Sequence, residues 1–207
     1  MHIFLRVATA LIVAVCGLRA SEPLSWLVSW AGDPARSAVV DWHTAGENVP
    51  LHVREMGSGE WREAPSESLA FPFLPDRRVF RARLDGLKPD TNYQIRFGAD
   101  GTTRYFRTLP ETLRRPLKFI VGGDTRHTAG WHEATNTAAL AHEPDFIVLG
   151  GDLAYDNGEA RNAANVAGWF DSHARTLTAK DGRIVPVVAG IGNHEVRGGY
   201  ISSVLAT

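Results

Sequence analysis

Three short runs of the sequence carry side chains that could bind a metal ion: Gly122–Arg126 (GGDTR), Gly150–Tyr155 (GGDLAY) and Gly190–Glu195 (GIGNHE). Each run begins with glycine and directly follows an apolar run. Together they supply two aspartates, a tyrosine, an asparagine and a histidine, namely Asp124, Asp152, Tyr155, Asn193 and His194. Two carboxylates that share a crevice repel each other and are costly to desolvate, so a cation between them is favourable. A phenolate is a hard anionic donor and favours a trivalent ion such as Fe(III). The pattern therefore predicts a metal site.

The elements that must position these residues are three strands and two helices. The apolar runs Leu117–Val121, Phe146–Leu149 and Ile184–Ala189 predict strands that are buried on both faces. The segments between them, about residues 131–142 and 159–178, predict helices. This alternation predicts a parallel sheet. Ligands of such sheets bind beyond the carboxyl ends of the strands, where all three motifs fall.

The first half of the chain, about residues 23–110, has period-two alternation instead, which predicts half-buried strands of a β-sandwich. Val40 and Trp42 alternate with Asp41 and His43, for example. His43 and His52 therefore fall on outward positions and are predicted to be inert surface residues. Asp100–Gly101 between two alternating runs predicts a hairpin.

Residues 1–20 predict a secretory signal peptide, because a positive charge at Arg6 precedes the short apolar run Val7–Leu18. An uncleaved anchor and a lipoprotein lipidated at Cys16 are the alternatives. The predicted location is secreted or periplasmic, with no stable membrane span after cleavage. Cleavage after Ala20 would remove Cys16, the only cysteine, so any metal must be bound through oxygen and nitrogen. The net charge of -1 gives no reason to expect binding to nucleic acid.

Two resemblances sharpen these predictions. Leu84–Tyr93 (LDGLKPDTNY) resembles the turn into the sixth strand of a fibronectin type III domain, which implies that the Tyr93 hydroxyl bonds to the preceding backbone. GDTR, GDLAY and GNHE resemble the first three motifs of the purple acid phosphatases, within the calcineurin-like metallophosphoesterase superfamily. The implied fold is an all-β, fibronectin III-like sandwich (residues 23–110) followed by an incomplete α/β metallophosphoesterase domain (residues 115–207), the β-α-β-α-β portion of a layered sandwich.

The second resemblance implies a role for each motif residue in a binuclear metal centre. Asp124 and Tyr155 would bind Fe(III), Asp152 would bridge the two metals, and Asn193 would hold Fe(II), Zn(II) or Mn(II). His194 would be catalytic, beside the substrate. The implied reaction is hydrolysis of phosphate monoesters by a metal-bound hydroxide. The substrate would be a phosphorylated small molecule or protein.

The sequence departs from the family pattern at two points. Arg126 stands where the family usually has glycine, and it would either contact substrate phosphate or form a surface ion pair. The family also completes its metal site with three further histidines in VxxH and GHxH motifs, and no histidine follows His194. We therefore expect this chain to be the amino-terminal portion of such an enzyme, with little phosphatase activity of its own. A non-catalytic fragment or degenerate protein with a fibronectin-like binding module, and a related metallophosphodiesterase, remain as alternatives.

Overall fold

The computed structural model describes residues 22–125 and 129–196. Its first eight strands form a β-sandwich of two four-stranded antiparallel sheets, ordered β1-β2-β6-β5 and β4-β3-β7-β8. The strands are β1 Ser25–Ser29, β2 Ala38–Thr44, β3 Leu51–Glu55, β4 Arg62–Glu63, β5 Ser66–Ala70, β6 Arg78–Leu84, β7 Asn92–Phe97 and β8 Arg104–Arg107. The predicted signal peptide lies outside the described residues. Within the described residues, no helix combines the length and the apolar character needed to span a bilayer.

The core of the β-sandwich consists of the inward residues of the two sheets, as the alternation predicts. The Trp42 ring lies at its centre, 5.8 Å from the Phe80 ring and 5.6 Å from the Phe97 ring. The hairpin predicted at Asp100–Gly101 is confirmed, because β7 and β8 pair across it. A side chain at position 101 would collide with the Phe97 carbonyl group, so the turn requires glycine.

Tyr93 forms the corner that the fibronectin resemblance implies. Its ring is 6% exposed, and its hydroxyl oxygen accepts a hydrogen bond from the Lys88 backbone N–H at 2.8 Å. The bond fixes the chain before β7 to the start of that strand. This residue is structural, as predicted.

The second part of the chain forms a three-stranded sheet with two helices, which we call the α/β layer. Its elements are β9 Phe119–Gly122, α1 Ala129–Leu140, β10 Phe146–Leu149, α2 Ala163–Thr176 and β11 Val187–Ala189. β10 lies between β9 and β11 and pairs with both in parallel, so the predicted parallel sheet is confirmed. Short 3-10 turns at Ala160–Asn162 and Asn193–Glu195 precede α2 and follow β11.

The prediction that all three strands are buried on both faces is wrong for the described residues. Ile147 and Leu149 face the two helices and are nearly inaccessible to solvent. The opposite face carries Phe119 and Val121, which are 53% and 67% exposed. The reason is that α1 and α2 supply apolar side chains, Leu140 and Trp169 among them, to the cluster around Ile147 and Leu149, which leaves Phe119 and Val121 on the other face open to solvent within the described residues.

The β-sandwich and the α/β layer meet where α2 packs on β1. Arg77 joins them: its guanidinium donates to His43 Nδ1 at 2.8 Å, to Ser25 Oγ at 2.9 Å and to the Asp171 carboxylate on α2. His43 is 2% exposed, and its ring centroid lies 4.5 Å from that of Phe170. The prediction that His43 is a surface residue is therefore wrong, because α2 covers the sheet face on which it stands.

Candidate metal centre

The loops after β9 and β10 bring two of the predicted metal ligands into direct contact. The Tyr155 hydroxyl donates a hydrogen bond to Asp124 Oδ1 at 2.7 Å. Both residues have left-handed backbone, with φ of 51° at Asp124 and 56° at Tyr155. This backbone conformation is unfavourable for a tyrosine, so the surrounding loop contacts must hold Tyr155 in it.

Asp152, in the second motif, contacts the third motif through its side chain. Its Oδ1 accepts the backbone N–H of His194 at 3.0 Å, and its backbone φ is 53°. A side chain at Gly192 would collide with the Asp152 carboxylate, and one at Gly151 (φ 110°) would collide with the Gly192 backbone. Glycine at these two positions is therefore a requirement of the close approach of the two loops.

Asn193 and His194 form the start of the 3-10 turn after β11. Asn193 is exposed. The His194 ring lies 4.2 Å from the Tyr155 ring, and its Nδ1 is 2.6 Å from Asn157 Oδ1. Because an amide oxygen accepts, Nδ1 carries the proton in this arrangement. The Asn157 backbone N–H also donates to the His194 carbonyl oxygen at 2.8 Å, which holds the two loops in register.

Glu195 connects the second and third motifs, a role that the sequence reasoning missed. Its carboxylate accepts four backbone N–H groups, those of Asp152 (2.8 Å), Leu153 (2.6 Å), Ala154 (3.3 Å) and Gly192 (2.8 Å). Hydrogen bonds to a charged acceptor are the stronger kind. The signal in the sequence was the spacing, since a glutamate three residues after the N-cap residue Gly192 can accept the N-cap backbone N–H, as the glutamate of a capping box does.

Thr125 and Trp169 connect the first and second motifs, and they too were missed. Thr125 donates from its backbone N–H to the Asp152 carbonyl oxygen at 3.0 Å and from its hydroxyl to the Leu153 carbonyl oxygen at 2.9 Å. The buried Trp169 of α2 donates from Nε1 to the same hydroxyl at 2.9 Å. Arg77 of the β-sandwich binds Asp171 of α2, and Trp169 of the same helix binds Thr125 beside Asp124. A continuous series of contacts therefore links the β-sandwich to the candidate metal ligands.

The histidines of the two helices lie in the packing between α1 and α2, and His132 also lines a cavity with Asp124 and Thr125 of the first motif loop. His132 and His173 are each 2% exposed. The His173 ring stacks on Trp169 at 4.2 Å, and burial, together with the nearby His132, lowers the pKa of His173 to about 3. A neutral, enclosed imidazole of this kind is part of the packing between the two helices.

The donor atoms that meet at the carboxyl ends of the strands fit part of a metal site. Two oxygen ligands at right angles, each about 2.0–2.2 Å from an ion, lie about 2.8–3.1 Å apart. The 2.7 Å between Tyr155 and Asp124 is close to that separation. Residues 22–125 and 129–196 hold no group of three or more His, Cys, Asp or Glu side chains placed to bind a metal ion. The metal ligands predicted from the sequence are instead two aspartates, a tyrosine and an asparagine. The predicted substrate-binding residue Arg126 lies outside the described residues.

Residues of the β-sandwich match the sequence of a known domain, and the whole chain is similar to several known proteins. The sequence profile of the purple acid phosphatase N-terminal domain matches residues 23–108. An uncharacterized protein of Mycobacterium tuberculosis is 30% identical over 188 residues, covering 76% of this chain and 33% of the relative. Purple acid phosphatase 22 of Arabidopsis thaliana is 26% identical over 185 residues, covering 85% of this chain and 38% of the relative.

Purple acid phosphatase 21 of the same plant is 30% identical over 132 residues, covering 63% of this chain and 28% of the relative. The chain thus spans about a third of the length of the curated relatives that it matches. Residues 23–108 are therefore an amino-terminal domain of the purple acid phosphatase type, and the chain as a whole is similar to purple acid phosphatases of Arabidopsis thaliana.

Proposed function

We propose that this chain supplies part of an exported, metal-dependent phosphatase that hydrolyses phosphate monoesters of small molecules or proteins. The observation that carries the proposal is the meeting of Asp124, Tyr155, Asp152 and the Asn193–His194 turn at the carboxyl ends of three parallel strands. Residues 23–110 would be its fibronectin III-like domain, and residues 115–207 the first part of its α/β metallophosphoesterase domain. Residues 1–20 would direct export.

We assign each of the site residues a role in this proposal. Asp124 and Tyr155 present two oxygens 2.7 Å apart, which suits shared binding of Fe(III). Asp152 lies between the motif loops and would bridge to a second ion, Fe(II), Zn(II) or Mn(II), which Asn193 would help to hold. When bound, the two metal ions would activate water and neutralise the negative charge of the phosphate ester.

His194 is the side chain best placed to handle a proton in this site. The 2.6 Å contact with Asn157 fixes Nδ1 as the protonated nitrogen, and the ring rests on Tyr155. With Nδ1 bonded to Asn157, the other ring nitrogen, Nε2, is left for the substrate: when both nitrogens carry a proton, Nε2 can donate a hydrogen bond to a phosphate oxygen or protonate the leaving oxygen. We assign Arg126 to the phosphate group of the substrate, where a guanidinium would bind two oxygens at once.

Iron binding by the full 207-residue chain tests this proposal without relying on turnover. Addition of Fe(III) should produce a visible charge-transfer band, because the Tyr155 phenolate would bind the ion. Tyr155→Phe should abolish the band. Tyr105→Phe, which removes a hydroxyl bonded to Asp181 at 2.7 Å away from the motifs, is the matched control and should keep it. A band of equal intensity in Tyr155→Phe, or none in the unaltered chain, would refute the assignment.

Substrate class is tested with p-nitrophenyl phosphate and bis(p-nitrophenyl) phosphate in the presence of Fe(III) and Zn(II). We expect slow, metal-dependent hydrolysis of the monoester in preference to the diester, and its loss in Asp152→Asn. Faster hydrolysis of the diester would favour the metallophosphodiesterase alternative. Metal-independent hydrolysis that survives in Asp152→Asn would exclude both.

A further inference from the structure

A cavity of about 470 Å³ lies where the β-sandwich meets the α/β layer. The β-sandwich contributes the segment Phe71–Phe73 after β5, and the α/β layer contributes α2 and the loop after β10. Cavities of about 300–1,000 Å³ at the junction of two folded units are typical small-molecule sites. None of the candidate metal ligands is among its lining residues, although Leu153, Ala154 and Glu195 of the motif loops form part of its wall.

Aromatic side chains form much of the cavity wall. Phe71 and Phe73 come from the β-sandwich, and Trp169 and Phe170 come from α2. The rings of Trp169 and Phe170 are almost perpendicular, at 88° with centroids 5.0 Å apart, so they present differently oriented surfaces. Phe73 is 65% exposed and has a left-handed backbone (φ 64°), an unusual arrangement for a large apolar residue. Aromatic faces of this kind attract organic cations.

The charged groups of the cavity are all acidic. Its lining includes Asp156, Glu159 and Glu195, and none of the described lining residues is a lysine, arginine or histidine. The Glu195 carboxylate accepts the four backbone N–H groups described above, and Glu159 pairs with Arg161 at 2.5 Å. Asp156 accepts the Gly158 N–H at 3.2 Å and forms no ion pair within residues 22–125 and 129–196.

We propose that this cavity binds a small organic cation with an apolar body, of the aryl- or alkylammonium class, whose positive group lies beside Asp156. The aromatic walls supply apolar contact and cation–π attraction, and the carboxylate supplies the opposite charge. A neutral ligand of the same shape would leave the Asp156 carboxylate without an ion-pair partner. An anionic one would be repelled. The proposal does not depend on metal binding or on phosphatase activity.

Calorimetric titration of the metal-free, full-length chain tests the proposal with three soluble probes that share one ring: benzyltrimethylammonium, benzyl alcohol and benzoate. We expect one saturable site for the cation, at least tenfold tighter than for the alcohol, and no binding of benzoate. Equal affinity for cation and alcohol, or no binding of the cation, would overturn the proposal.

Two substitutions locate the site. Asp156→Asn keeps the shape of the side chain and should weaken binding of benzyltrimethylammonium at least fivefold. Phe73→Ala alters an exposed side chain, so it should fold normally and also weaken binding. Asp124→Asn removes a carboxylate of the candidate metal centre and should leave the affinity unchanged. If Asp124→Asn, and not Asp156→Asn, loses the cation, the ligand binds at the metal centre and the proposal is wrong.

Discussion

Replacement of His173 by phenylalanine should make the protein markedly less sensitive to acid. His173 is enclosed between α1 and α2, and neither of its ring nitrogens has a hydrogen-bond partner in the described structure. Burial lowers the pKa of this group from the ordinary 6.5 to about 3. Between these two values the unfolded chain binds a proton at this site and the folded chain does not. Stability is therefore fully present above pH 6.5 and is lost as the pH falls toward 3.

The size of the effect follows from the pKa difference. Each pH unit in this interval costs about 1.4 kcal/mol of the free energy of unfolding per histidine, which gives about 2 kcal/mol at pH 5. His43 contributes a similar amount, because burial, aided by the charge of Arg77, lowers its pKa to about 3 as well. The two histidines together should cost about 4 kcal/mol at pH 5, a large share of the typical stability of a folded protein.

The assay is urea unfolding at pH 7.5 and pH 5.0, followed by circular dichroism. His173→Phe keeps an aromatic ring on Trp169 and removes two unsatisfied nitrogens, so at pH 7.5 it should be neutral or stabilising. Its stability loss between the two pH values should be about 2 kcal/mol smaller than that of the unaltered chain. His142→Gln changes an exposed histidine and is the control. If His173→Phe and the unaltered chain lose the same free energy on acidification, His173 does not titrate as argued here.

Three further experiments, with four substitutions in all, test the contacts that hold the loops and the corner. Glu195→Gln leaves at least one of the four backbone N–H groups facing an amide N–H. We therefore expect the free energy of unfolding, measured by thermal unfolding, to fall by about 2–4 kcal/mol and Fe(III) binding to weaken. Unchanged iron binding would show that Glu195 does not position the metal ligands. Trp169→Phe and Thr125→Val should show a coupling of about 1 kcal/mol in a double-mutant cycle, and strict additivity would contradict the 2.9 Å bond between them. Tyr93→Phe leaves the Lys88 N–H without its partner and should cost about 1–3 kcal/mol by urea unfolding, whereas a loss below about 0.5 kcal/mol would exclude the corner as a stabilising feature.

Much of the fold could be predicted because its signals are local. The strand alternation seen in β7, the Asp100–Gly101 hairpin and the Tyr93 corner each depend on residues within one or two elements, whereas β2, around Trp42, is buried at every position. The parallel sheet followed from continuous apolar runs separated by helical segments. The contact of Tyr155 with Asp124 was predictable for the same reason, because the carboxyl ends of parallel strands meet at one edge.

The errors and omissions came from contacts between distant parts of the chain. His43 stands at an outward strand position, and no local pattern indicates that α2 packs on that face. Trp169 looks like any apolar residue of a helix, although its indole N–H positions the loop of the first motif. Val121 is exposed because the apolar side chains of α1 and α2 cover the other face of the parallel sheet. The periodicity of the sequence does not determine which face of a sheet its helices cover.

The left-handed backbone at the candidate metal ligands bears on which substitutions evolution would accept at these positions. Asp124 and Asp152 tolerate this conformation because their side chains are short and polar, but at Tyr155 it costs about 1–2 kcal/mol. Asparagine or glycine at position 155 would relieve that cost while removing the phenol. Selection for heat resistance alone would therefore favour loss of Tyr155. A descendant released from the need for metal chemistry should lose this tyrosine long before it loses Trp42 from the core of the β-sandwich.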